Sequence, residues 1–237
     1  MSSPFAHPVE HPLKLDPATI KFPRDRDWSQ KPRAEQTRLG LMKAAAAEIY
    51  EKGYHAAALS DILRRAGATK GALYHHFADK KALALAAMDY FIRLDLWEFW
   101  LEPFRLSDDP VSTLRNLIIF LNTTGVIDKG LKHGCPIVNL TEELGVQDED
   151  FRTLIEKANQ EWREVLAAAL KRGQEAGNVR SDVDCEGTAM LILAIRHGVL
   201  STKKTSSDPN VMAKLAGAFF NYLDSLRPGP SAPASVH

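Results

Sequence analysis

The chain has 237 residues, 45% of them hydrophobic and 25% charged, with zero net charge and two cysteines, Cys135 and Cys185. That composition suits an ordinary core-forming protein of a reducing cytoplasm, and it excludes a disulfide framework or a cysteine-built zinc site. No run nears the roughly 18–20 apolar residues that span a bilayer, and the opening MSSPFAHPVEHP has neither the basic nor the apolar region of an export signal, so no membrane partner is expected.

Residues 1–33 carry Pro4, Pro8, Pro12, Pro17, Pro23 and Pro32 without a sustained apolar period, and read as a disordered arm. The tail 227–237, RPGPSAPASVH, reads the same way. From Lys31 to Lys81 ten lysines and arginines face five acidic residues, while the first thirty residues balance, so the rest of the chain is acidic. A basic module at one end is what contact with phosphates produces.

Between the two ends the periodicity is helical almost throughout, and the fold class read from it is all-α. Leu41, Met42, Ala45, Ala46 and Ile49 form one stripe at 3.6-residue spacing, stopped by Gly53. A short helix over about Ala58–Arg65 breaks at Gly67; Thr69 can cap a third that ends near Phe77, and Asp79 a fourth that runs to about Leu101. Further helices are expected over about Asp109–Thr124, Pro136–Leu144, Asp148–Ala176, Val183–Thr202 and Asp208–Leu226. In the longest, Phe151, Leu154, Ile155, Ala158, Trp162, Val165, Leu166 and Ala169 share one face.

The stretch Leu59–Phe77, LSDILRRAGATKGALYHHF, holds two short helices joined by the tight turn Ala66-Gly67-Ala68. Leu59, Ile62 and Leu63 anchor the first helix; Leu73 and Phe77 turn the second inward and leave its polar side out. This is the helix-turn-helix arrangement, which lays its second helix in the major groove of DNA. Adjacent histidines on a helix point in different directions, so His75 and His76 do not suggest a metal site.

RLGLMKAAAAEIYEKGY followed by LSDILRRAGATKGALYHHFADKKAL, within Arg38–Met88, resembles the TetR family of transcriptional regulators, most specifically over GATKGALYHHFADK. The resemblance implies a three-helix DNA-binding domain over residues 34–80 and a helical ligand-binding and dimerisation domain over 81–226. It implies DNA contact by Thr69, Lys70, Gly71, Ala72, Tyr74, His75 and His76, and a phosphate held by Lys80. Ala57 and Ala58 depart from the family pattern, which has a hydroxyl residue capping the second helix.

Met190, Leu191, Leu193, Ala194, Val199 and Leu200, then Val211, Leu215, Phe219, Phe220 and Leu223, make the last two helices apolar over much of their surface. Pairing with their two-fold mates would form a homodimer, which sets two recognition helices in successive major grooves; the alternative is that they are core helices of a monomer. Aromatics of the middle helices, Trp97, Trp100, Phe104, Phe120, Phe151 and Trp162, are candidate ligand contacts, and His197 is a polar group on an apolar helix. The tract His133-Gly134-Cys135-Pro136 resembles a Gly-Cys motif of one branch of the family. Cys135 then falls near an N-cap, either as a ligand-side thiol open to electrophiles or as a small buried thiol.

No phosphate loop, HExxH or GxSxG motif is present, so neither an enzyme nor a cofactor is expected. The reading is a cytoplasmic repressor released from operator DNA by a small-molecule inducer. The alternatives are a ligand-dependent activator and a helical protein-interaction module that does not bind DNA.

Overall fold

The computed structural model describes residues 29–95, 100–124 and 132–229, with no side chains over 93–95, and all the regular structure among them is helical. Most of the expected arm and tail, and Trp97, lie outside the described residues. Helix α1, Arg33–Lys52, buries Leu41, Met42, Ala45, Ala46 and Ile49, the stripe that the spacing predicts, and Gly53 ends it at φ +86°. Helices α2, Leu59–Ala66, and α3, Lys70–His76, are separated by Gly67 in the left-handed region, where a Cβ is unfavourable. Helix α4 is described over Lys80–Asp95.

A short helix that the periodicity does not reveal, α5 over Glu102–Arg105, follows, with Leu101 at its N-cap. Pro103 explains its position, because proline cannot continue a helix yet suits a first turn. Then come α6, Pro110–Thr123; α7, Pro136–Leu144; and α8, Glu149–Glu175. The last two are α9, Cys185–Thr205, and α10, Val211–Ser225. Helix α9 starts two residues later than its pattern suggests, because the Asp184 carboxylate accepts from the backbone N–H of Glu186 and Gly187, both at 3.1 Å.

Among the described residues the chain divides into two compact units, one of 29–95 with 133–159, the other of 100–124, 132 and 160–229. The first is built on α1, which packs against α2, α3 and α4 around Leu41, Ala45, Ile62, Leu73 and Leu83, all fully buried. It holds α7 and the start of α8 as well, residues that a boundary after residue 80 would place in the other domain. Glu48 is the buried charge here; Lys52 at 2.6 Å and Arg65 at 2.9 Å hold its carboxyl below the usual range against the cost of burial.

In the second unit α6 and α9 both pack on α10, and α5 on α6. Arg227, which the proline-rich composition assigns to the tail, is anchored: its guanidinium pairs with Asp109 at 2.9 Å and donates to Ser112 Oγ at 2.6 Å. A Cβ at Gly173 of α8 would stand 2.8 Å from Val179 and 2.9 Å from the ring of Pro110. Gly173→Ala, normally a gain of about 1 kcal/mol inside a helix, is therefore expected to destabilise by about 1–3 kcal/mol in urea unfolding.

Candidate functional site

Helix α3 is held from both ends. At its start the Thr69 hydroxyl accepts from Ala72 N–H at 3.2 Å, as the sequence suggests; at its end Phe77 N–H donates to Leu73 O at 2.9 Å. Leu73 and Phe77 are buried, so the opposite side, Thr69, Lys70, Gly71, Tyr74 and His75, faces out, with Tyr74 55% exposed. Ala72 and His76 are half-buried. Burial first, then His75 and Arg38, lowers the pKa of His76, which makes it a neutral donor and acceptor near pH 7. Helix α2 begins at Ala58 without a side-chain cap, as its sequence implies.

Lys80 sits differently from the free phosphate-binding cation that the family pattern implies. Its ammonium donates to Tyr54 O at 2.6 Å and lies 4.5 Å from the centre of the Tyr54 ring. Burial lowers its pKa, and Glu143 partly offsets that. Glu143 of α7 accepts from Tyr54 N–H and His55 N–H, both at 2.8 Å, closing over the turn between α1 and α2. Tyr50 adds a second tie: its hydroxyl donates to Gly134 O at 3.0 Å and accepts from His133 N–H at 3.1 Å. Lys81 pairs with Asp148 at 2.8 Å and Asp150 at 2.6 Å. Residues 133–151 are thus tied to α1, to the turn that follows it and to α4, connections over up to 89 residues of sequence that no local motif announces.

The second unit encloses a cavity of about 630 Å³, counting its open mouth, between α6, α8, α9 and α10. Leu114, Ile118, Ile192, Val199, Leu215 and Phe219 give it an apolar wall, and Trp100, Trp162, Asn122 and Arg196 also line it. Of the candidate ligand contacts, Trp100 and Trp162 stand on this wall. Phe104, Phe120 and Phe151 are buried in packing and do not line it. Neither does Cys135, which is 2% exposed at the N-cap of α7 in the first unit. Sequence reasoning missed Arg196, although an arginine spaced helically between Ile192, Val199 and Leu200 was a visible break in an apolar stripe.

Next to Arg196, the His197 Nε2 is buried without a hydrogen-bond partner, and burial, then the Arg196 charge, pushes its pKa down to about 4. The folded chain therefore binds fewer protons here than the unfolded chain between pH 6.5 and about 4. Stability is intact above pH 6.5 and falls as the pH drops through that window. Urea unfolding at pH 7 and pH 5.5 should show a loss of about 1 kcal/mol in the parent that His197→Leu lacks.

An exposed, donor-bearing second helix on a basic three-helix head, together with a helical unit enclosing an apolar cavity, defines a ligand-responsive DNA-binding regulator. Comparison with known proteins agrees. Residues 41–87 match the family model "Bacterial regulatory proteins, tetR family", and residues 111–219 match "Tetracyclin repressor-like, C-terminal domain". The transcriptional regulator AcuR of Cereibacter sphaeroides is 27% identical over 86% of this chain and 92% of its own length. An HTH-type transcriptional regulator encoded in the lacX 3′ region of Lactococcus lactis is 31% identical over 56% of this chain and 68% of its own. A TetR-family regulator from Cytophaga hutchinsonii shares the fold at TM-score 0.73 and 20% identity, over 84% of this chain and 99% of that one. The chain belongs to the TetR family of transcriptional regulators.

Proposed function

We propose that the protein is a cytoplasmic repressor that binds a two-fold operator as a homodimer and leaves it when a small molecule enters the cavity of the second unit. The observation that carries this reading is α3. Lys70 and Tyr74 are exposed on the side of α3 away from Leu73 and Phe77 and make no hydrogen bond or ion pair among the described residues, so both are available to phosphate or base acceptors. Thr69, Gly71, Ala72, His75 and His76 complete the DNA-facing set. Lys80, with one of its three ammonium donors on Tyr54 O, would offer the others to a phosphate. The DNA-binding part is residues 34–80 and the sensing and pairing part 81–226, with α8 shared: Phe151 belongs to the first unit, packing 5.0 Å from the Tyr54 ring, and Trp162 to the second, on the cavity wall. A ligand that displaces Trp162 thus acts on a helix that continues into the DNA-binding unit.

Pairing through α9 and α10 is supported by Met190, 56% exposed, and Leu191, 45% exposed, on α9. A Cβ at Gly198 or Gly217 meets nothing within 4 Å, so both helices leave room for a close neighbour. Leu191→Glu is expected to shift sedimentation equilibrium from dimer to monomer at micromolar protein while costing the monomer under about 1 kcal/mol. An unchanged dimer would move the interface elsewhere. As for the Gly-Cys tract, the burial of Cys135 supports a packing role over reaction with electrophiles.

The test is selection of genomic fragments by the purified protein, followed by anisotropy across a salt series. A palindromic site with half-sites about 34 Å apart, bound by two protomers, is expected. Binding that gains strength when inducer is added would indicate an activator, and failure to enrich any sequence would overturn the DNA-binding reading.

A further inference from the structure

Arg38 of α1 is held against the far end of α3. Its guanidinium lies 5.4 Å from the centre of the ring of Phe77, the residue that closes that helix. Leu39, Leu41 and Met42 beside it are buried while Arg38 is exposed, so its side chain leaves the core on the way to the ring. It makes no ion pair and no side-chain hydrogen bond among the described residues. The carboxylates nearest to it in sequence are engaged elsewhere. Glu35, three residues back on the same helix, holds Lys31 at 2.7 Å, and Asp79, two residues past Phe77, accepts from Ala82 N–H at 2.7 Å. The Arg38 charge is one of the influences that keep the His76 imidazole below its ordinary pKa, which places it within reach of the last turn of α3.

An exposed arginine can rely on water for its hydrogen bonds; the distinguishing feature of Arg38 is the place where it is held. The ring face orients the guanidinium and leaves its in-plane donors free at the edge. An α-helix with its side chains is about 10–12 Å across, and the major groove is about 12 Å wide, so a helix laid in the groove fills it from wall to wall. A cation standing beside the end of that helix, on a neighbouring element, meets the wall rather than the base edges on the floor. The wall is the phosphate backbone, and the planar fork of arginine matches the paired oxygens of a phosphate. We propose that the DNA-contacting surface extends from α3 to α1, where Arg38, oriented by Phe77, holds a backbone phosphate at the edge of the groove that α3 enters. Such a contact fixes the register of α3 and adds affinity without reading sequence. This deepens the regulator reading above and rests on it for the presence of DNA.

Arg38→Gln in the full-length protein is expected to weaken binding to operator and random duplexes alike, by at least about tenfold, and to flatten the salt dependence by about one unit per protomer. Urea unfolding should be unchanged, because the side chain lies outside the core. Arg38→Lys should restore the salt slope yet bind a few-fold less tightly than the parent, since an ammonium offers a point charge in place of the fork. Arg180→Gln removes the same charge from the exposed turn before α9 and should leave the slope unchanged, which separates a local contact from net charge. The proposal is overturned if Arg38→Gln binds as the parent does, if it loses affinity at an unchanged slope, or if Arg180→Gln flattens the slope as much. A loss confined to the operator would make Arg38 a reader of bases and overturn it as well. The regulator reading is judged on the parent protein: a parent that binds neither duplex overturns both, and a parent that binds its operator no better than Arg38→Gln overturns this proposal alone.

Discussion

Lys70→Ala combined with Tyr74→Ala is expected to lower specific operator affinity at least about 100-fold, with unfolding free energy within about 0.5 kcal/mol of the parent. Both side chains leave α3 on its exposed side and neither supports the core, which Leu73 and Phe77 hold from the other side. Each contact to a base or phosphate contributes about 1–3 kcal/mol, and a dimer presents every contact twice, so even the low end of the range summed over the pair exceeds two orders of magnitude. The two losses differ in kind. Lys70→Ala alone should flatten the salt dependence by about one unit per protomer and weaken all sequences alike, because a lysine meets phosphate as a point charge. Tyr74→Ala alone should leave the salt slope unchanged. Anisotropy on operator and scrambled duplexes across a salt series measures both, and a double variant that still binds the operator at parental affinity would show that α3 is not the reading helix.

How much of this was legible follows from the range over which each feature is encoded. The helix-turn-helix rests on neighbours: Gly67 in the left-handed region, the Thr69 cap and the inward Leu73 and Phe77 lie within one short stretch, and the sequence reading agrees with the structure there. Helices α6, α7 and α8 begin where Asp109, Pro136 and Asp148 allow, within a residue or so of expectation. The seat of Lys80 was not legible, because the outward lysine of a family pattern and the inward lysine on Tyr54 look identical in sequence. Nor was the cavity wall, since Trp162 on the wall and Phe120 in the packing are equally apolar and equally helical in period, and only the tertiary arrangement sorts them. Cys135 carries the same lesson: its N-cap position was readable from Pro136, its burial was not.

Glu143→Ala is expected to be the most damaging change outside the core, destabilising the chain by about 2–4 kcal/mol and lowering operator affinity with it. The carboxylate receives two backbone donors, Tyr54 N–H and His55 N–H, at the turn that sets α2 against α1. Hydrogen bonds to a charged group contribute about 1.5–3 kcal/mol each, and alanine leaves the half-buried Tyr54 N–H without an acceptor and the exposed His55 N–H to water. The neighbourhood also leans on the charge: Lys80 is half-buried against Tyr54, its pKa already depressed by burial, and Glu143 is the group that opposes the depression. Glu143→Gln keeps one acceptor oxygen and turns an amide N–H toward the second donor, so it should recover about half of the lost stability without the charge. Operator binding distinguishes a clamp from a mere packing contact. If Glu143 sets the seat of α2 and α3, the glutamine variant will bind DNA more weakly than its recovered stability accounts for; if it only stabilises the fold, both variants will bind at parental affinity once measured at a temperature where they remain folded.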